Sequence, residues 1–200
     1  MAKKIGGRGH DVLRGGKSKD LLKGFGGNDK LFGTDADSTL DGGAGNDKIK
    51  GGAGNEKLIG GLGNDQVWGG LGDDSIDGGT GQDQLDGGLG NDEILAGAGS
   101  DRLAGGEGDD ILNGGTGRDI LTGGVGADAF TFDASFSKDM IRDFTQGEDF
   151  IDFSNSGITS FEEFSNSITY SDEGAVIVTA QGTITLKGFK GQLVADDFHF

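Results

Sequence analysis

Acidic side chains recur every nine residues along the first two thirds of the chain, at Asp11, Asp20, Asp29, Asp47, Asp65, Asp74, Asp83, Asp92, Asp101, Asp110, Asp119 and Asp128. Glu56 falls in the same register, and Ser38 stands at the one step where the acid is missing. Carboxylates in a regular series suit two kinds of chemistry: holding hard divalent cations through oxygen, or proton transfer between a facing pair. The rest of the sequence offers the second kind no support. His10 and His199 are the only histidines, neither belongs to a zinc-binding pattern, no G-x-S-x-G occurs, and there is no cysteine. The acids therefore read as cation ligands, and both histidines read as solvent-facing.

Composition agrees. The 200 residues include 44 Gly, no Pro and no Cys, and 17 basic against 34 acidic side chains give a net charge of −17. That balance repels nucleic acid and anionic lipid and favours cations. No apolar run approaches the roughly 20 residues needed to span a bilayer, and without cysteine there is no disulfide scaffold or thiolate metal site. The opening MAKKIGG lacks the apolar stretch of a secretory signal.

What must position the acids is a nine-residue unit, G-G-x-G-N-D-x-L-x, that runs without insertion from Gly6 to Thr131 in fourteen copies. The acid is its sixth position. Nine copies match G-G-x-G-x-D fully; those starting at Gly15, Gly24, Gly33, Gly51 and Ala96 depart from it. The eighth position is apolar in all fourteen, from Leu13 and Leu22 through Leu121 and Phe130, between mostly polar neighbours. Each copy thus holds one very short strand with one inward side chain, and six residues of turn in which Gly supplies positive φ and Asn and Asp tolerate the left-handed region.

One triplet cannot bury its single apolar side chain, so the copies must stack and the chain must coil. Two copies per turn give two parallel sheets, odd copies on odd and even on even, over roughly 34 Å at about 4.8 Å per strand. The acids then form two ladders with the same rise, which should not close unneutralised. Calcium, with six to eight oxygen ligands, fits flexible carbonyl-rich turns better than magnesium, which demands octahedral geometry. Nine same-side neighbour pairs carry Asp in both turns, six odd and three even, so about nine calcium ions are expected. Ser38 and Glu56 interrupt the even ladder.

The unit G-G-x-G-x-D-x-U-x over residues 6–131 resembles the RTX (repeats-in-toxin) nonapeptide of bacterial type I-secreted proteins. The resemblance implies an all-β, right-handed parallel β-roll with calcium between adjacent turns, held by the twelve Asp named above and by turn carbonyls.

Ten of the 13 Phe fall at Phe132 or later and 38 of the 44 Gly before it, which places a boundary near residue 131. The two parts are a roll over 1–131 and a capping segment over 132–200. Period-two patterns predict strands at 140–144, 150–153, 175–179 and 183–186, with a short helix at 160–168. The stretches DMIRDFTQGEDFIDFS, GTITLKGF and LVADDFHF are similar to the region after the roll in serralysin-type proteases and related secreted hydrolases, which implies a cap that also carries the type I secretion signal.

The expected function is a non-enzymatic calcium-binding module that is secreted by a type I exporter and folds on calcium outside the cell. Two alternatives are a C-terminal part of a larger secreted hydrolase or alginate epimerase, and an adhesion module. The latter would contact surface polysaccharide through Arg8, Arg14, Lys17, Lys19 and Lys23, or through the outward apolar residues Phe32, Ile59, Trp68 and Leu95.

Overall fold

The computed structural model describes residues 3–200; Met1 and Ala2 lie outside the described residues. Two parallel sheets face each other, and every strand of the repeat region pairs with the strand 18 residues away, the length of two copies. In the even sheet the inward residues register as Leu22, Leu40, Leu58, Ile76, Ile94, Leu112 and Phe130. In the odd sheet they register as Leu13, Leu31, Ile49, Val67, Leu85, Leu103 and Leu121. Apart from Leu13, on the first turn, all are at most 2% exposed. The core is therefore two columns of position-eight side chains meeting between the sheets, and the roll is a parallel β-solenoid.

Both sheets run on past Thr131. Leu121 pairs with Ile141, and Ile141 with Leu186, in the odd sheet. Phe130 pairs with Ile151, and Ile151 with Phe198, in the even sheet. The odd sheet then ends in an antiparallel meander in which Gly174–Val178 lies between Thr183–Lys187 and Thr169–Ser171. Phe132, Phe136, Phe153, Phe164 and Phe198 fill the end of the core, with ring centroids 5.0–6.0 Å apart in stacked, tilted and edge-on pairs. At the opposite end Lys3–Ile5 and Val12–Arg14 are edge strands with exposed basic side chains. Such charges discourage edge-to-edge pairing.

Three local expectations need correction. Most repeat strands are longer than a triplet, as at Lys57–Leu62 and Ser75–Gly81, because the first residues of the following copy stay extended and paired rather than turning. The strand predicted at 140–144 spans Lys138–Ile141, because Arg142 and Asp143 already begin the next turn. The helix predicted at 160–168 is two single 3-10 turns, Phe161–Glu163 and Ser165–Ser167, neither with a side-chain cap. Nine residues containing three Ser and one Asn do not repay the cost of nucleating an α-helix.

Candidate metal sites

The glycines of the repeat have separate duties. Positions two and four take positive φ in most copies, as at Gly43 (φ 102°) and Gly45 (φ 129°), and Phe25 at position two is the only non-glycine residue among the described ones held there, at φ 78°. Position one keeps space clear for the acid. A methyl group on Gly60 would lie 2.5 Å from the carbonyl oxygen of Gly78 in the following turn and 2.6 Å from Oδ2 of Asp65. An acid oxygen and a main-chain carbonyl from the next turn thus converge on a cradle that a methyl group on Gly60 would crowd, although one copy carries Ala96 at the same position.

The two oxygens of each acid differ. Oδ1 accepts the backbone N–H of the acid one turn earlier: Asp47 donates to Asp65 at 2.7 Å, Asp65 to Asp83 at 2.7 Å, and Asp92 to Asp110 at 2.8 Å. Oδ2 has no hydrogen-bond partner in Asp29, Asp47, Asp65, Asp74, Asp83, Asp92, Asp101, Asp110, Asp119 or Asp128, and in Glu56 both oxygens lack one. These side chains are 1–3% exposed. The first acid of each ladder differs, since Asp11 Oδ2 accepts Gly7 N–H at 2.7 Å and Asp20 Oδ2 accepts Gly16 N–H at 2.5 Å.

Burial raises the carboxyl pKa values of the ladder acids from Asp29 and Glu56 onward, and neighbouring carboxylates add to this at most positions while the amide donated to Oδ1 partly offsets it. Asp65, Asp92 and Asp119 are pushed up to about 7, and Asp74, Asp83, Asp110 and Asp128 to about 6. Glu56 reaches about 7 through burial and then the charge of Asp74; the amides of Ser38 and Gly54 temper it without hydrogen-bonding to it. At neutral pH such a series calls for protons or cations.

The structure brings the twelve predicted Asp into the two expected ladders, odd (Asp11, Asp29, Asp47, Asp65, Asp83, Asp101, Asp119) and even (Asp20, Asp74, Asp92, Asp110, Asp128). Ser38 fills the gap in hydrogen bonding alone: its Oγ accepts Asp20 N–H at 3.0 Å and donates to Ala36 O at 2.7 Å.

Two acids outside the repeat join the ladders. Asp139 Oδ1 accepts Asp119 N–H at 2.9 Å, and Asp149 Oδ1 accepts Asp128 N–H at 3.0 Å. They escape a search at period nine because they lie 20 and 21 residues beyond their partners rather than 18. Their signal is the acid-x-apolar triplet of positions six to eight, present as Asp139-Met140-Ile141 and Asp149-Phe150-Ile151.

Position five also has a role that its turn propensity does not convey. No Asn or Asp there takes positive φ. Instead the side-chain oxygen accepts the backbone N–H of position five one turn later, as from Asn46 to Asn28 and from Asn64 to Asn46, both at 2.9 Å. His10 does the same through Nδ1 for Asn28 N–H at 2.7 Å. His199 is exposed and lies 3.9 Å from the Phe150 ring centroid.

Of the basic residues, Arg8, Lys17 and Lys19 stand exposed in turns, Lys23 pairs with Asp41 at 2.7 Å, and Arg14 lies over Phe32 at 4.2 Å. Of the outward apolar residues, Trp68 carries Lys50 at 5.1 Å and Leu95 is 43% exposed.

The donor set is oxygen only, and its acid oxygens are buried and unpaired, which fits calcium and not a metal that prefers nitrogen or sulfur. Among the described residues no three His, Cys, Asp or Glu side chains converge, so the turn carbonyls must supply most ligands, as calcium allows. No helix among the described residues is long and apolar enough to cross a membrane.

Comparison with known proteins bears on the same residues. The profile of the RTX calcium-binding nonapeptide repeat matches four times, over residues 5–40, 32–67, 59–94 and 95–130. No curated protein matches in sequence. Among solved structures, the chain is similar to the AlgE6R3 subunit of the Azotobacter vinelandii mannuronan C5-epimerase, at 32% identity over 69% of this chain and 78% of that one (TM-score 0.44). It is also similar to the extracellular lipase LipA of Serratia marcescens, at 17% identity over 99% of this chain (TM-score 0.40), spanning 40% of the lipase.

Proposed function

Since the chain belongs to the family of RTX calcium-binding nonapeptide repeats, we propose that it is a calcium-dependent folding module, non-catalytic in itself, whose turns close when calcium enters between them. The observation that carries this reading is the column of buried, unpaired Oδ2 atoms in ten Asp, each accompanied by the ordered Oδ1 hydrogen bond that aims it. The repeat Asp would hold the ions, ten of the twelve through an unpaired Oδ2, and the position-one carbonyls would complete the shell. Bound calcium supplies the positive charge that lets facing carboxylates stay ionised inside the roll. Oδ1 orients each carboxylate, glycine keeps the cradle open, and the position-eight column excludes water from the other side of the strand.

Metal binding of this kind is folding free energy. The chain would stay unfolded at low cytosolic calcium, leave through a type I exporter, and fold extracellularly, with residues 132–200 serving as cap and export signal. Calcium titration followed by circular dichroism and Trp68 fluorescence tests the first part; equal β content in excess chelator and in millimolar calcium would refute it. Secretion of a chain lacking roughly its last 60 residues through a matching exporter would refute the export role.

A second reading rests on one face. The outer side of the odd sheet carries Arg14, Phe32, Lys50 and Trp68 in a single row of successive strands, with Lys30 and Lys48 in the adjacent row. A row of cations braced by rings suits an acidic polysaccharide laid along the roll axis. Charge-reversed Lys48 and Lys50 should abolish retention on an acidic polysaccharide column in calcium, and unchanged retention would dismiss this reading.

A further inference from the structure

The repeat profile ends at residue 130, but the two ladders of Oδ1 hydrogen bonds do not. Within the roll most Oδ2 atoms share their cradle with a carbonyl of the following turn, as Asp65 Oδ2 does with Gly78 O beside Gly60. By that geometry the Oδ2 atoms of Asp119 and Asp128, both 1% exposed and without a hydrogen-bond partner, have no repeat ahead of them. What lies ahead is the C-terminal segment, and it places an acid on each edge at the next rung: Asp139, 3% exposed, and Asp149, 6% exposed. Both reproduce the hydrogen bond of a repeat acid, taking the N–H of Asp119 and Asp128 on Oδ1. Asp149 also repeats the turn closure of the ladder ends, accepting Thr145 N–H on Oδ2 at 2.7 Å as Asp11 accepts that of Gly7. Asp143 on the even edge is spent on the main chain, its two oxygens accepting Gly123 and Gly124 N–H at 3.0 Å.

We infer that Asp139 and Asp149 complete two further calcium sites, Asp119–Asp139 and Asp128–Asp149, in which one acid comes from the last repeats and the other from the C-terminal segment. The inference rests on the reading of the repeat turns as calcium sites and extends it to residues that lie outside any repeat. Its consequence is that the cap is fastened to the roll by metal as well as by phenylalanine. Neither ladder of acids continues beyond that rung: Asp139 registers with Ile184, which offers no side-chain oxygen, and Asp197 Oδ2 is taken by Gln146 Nε2 at 2.9 Å and Val194 N–H at 2.8 Å.

The test is a count of bound calcium per chain, by equilibrium dialysis and native mass spectrometry, on the full chain and on Asp139→Asn, Asp149→Asn and their combination. Asparagine keeps the Oδ1 acceptor for the preceding turn and removes the charge. The exposed Asp172→Asn serves as the control. Nine sites within the repeats become eleven with the two junction sites, so the expected counts are eleven for the parent and the control, ten for each single variant and nine for the double. A parent count of nine that neither variant lowers overturns the inference while leaving the repeat sites standing. An equal fall in the control also overturns it. If a variant fails to regain parental circular dichroism in excess calcium, the parent's count of eleven or nine decides alone. A parent that binds no calcium refutes the reading of the repeats themselves.

Discussion

Removing calcium and then lowering pH should have opposite effects on this fold, and the size of the effect can be worked from the buried carboxylates. Eight Asp and Glu56 carry pKa values of about 6 or 7 in the folded chain. Ionising one raised from 3.8 to about 6 costs about 3 kcal/mol at pH 7.5, and roughly half of that after screening by water and salt. Nine such groups amount to on the order of 10 kcal/mol, comparable with the whole stability of an ordinary domain. Calcium-free protein at pH 7.5 should therefore be unfolded. Because the folded-state values lie above the unfolded ones, the folded chain holds more protons between about pH 4 and 7. Its calcium-free stability must fall as pH rises through that window and return as pH falls. With calcium present the sign reverses, since protons compete with the metal for the same oxygens. Far-ultraviolet circular dichroism of metal-free protein should show β structure growing from pH 7.5 to 5.0, above the isoelectric point of about 4.2, with light scattering to exclude aggregation. In parallel, the calcium midpoint at pH 5.5 should lie well above that at pH 7.5. Metal-free spectra that do not change with pH, or a calcium midpoint that does not move, would refute the argument.

Three further outcomes follow from single contacts. Gly60→Ala places a methyl group within 2.6 Å of both Gly78 O and Asp65 Oδ2; it should cost about 2 kcal/mol or more of stability in calcium, read as a lower melting temperature. Asn46→Ala leaves Asn64 N–H without its acceptor and should cost about 1 kcal/mol, seen as a lower melting temperature with calcium stoichiometry unchanged. Deleting Phe132–Phe200 exposes the last rung of the core and should weaken the calcium response of Trp68 fluorescence far more than deleting Met1–Lys23, because a capped end loses less when the first interface forms; equal effects would leave the cap without a special role.

How much of this was legible in sequence depends on how strictly each feature keeps the period. The position-eight column and the position-six acids were readable because burial and charge recur every nine residues without insertion from Gly6 to Thr131, and a two-copy turn then fixes which acids face each other. Asp139 and Asp149 were missed because extra residues in the connecting loops shift them by two and three places. Space, not sequence interval, defines the ladder, and the loops absorb the difference. The Asn at position five was read for its backbone preference, and its side-chain acceptor role depends on a neighbour one turn away that only the coil supplies. The 160–168 segment failed for a local reason: its apolar residues Phe161, Phe164 and Ile168 keep helical spacing, but they are held by the aromatic core of the cap and not by a continuous helix.

The paired side-chain ladders also explain why the turn reads N-D in four copies and D-D in two more. The position-five oxygen reaches forward to the N–H of the next turn, while the position-six Oδ1 reaches back to the N–H of the turn before. Consecutive amides of the same turn, which the strand pairing does not use, are thereby satisfied from opposite sides. Asn suffices for the first duty because it ends with the hydrogen bond. Only a carboxylate suffices for the second, because after Oδ1 is used a second charged oxygen is left over for the cation. Ser38 shows the distinction within this chain: it keeps the backward hydrogen bond to Asp20 and has no second oxygen to give. The even edge should therefore be structurally continuous there and still lack metal, so stability and calcium number are set by different atoms of the same side chain.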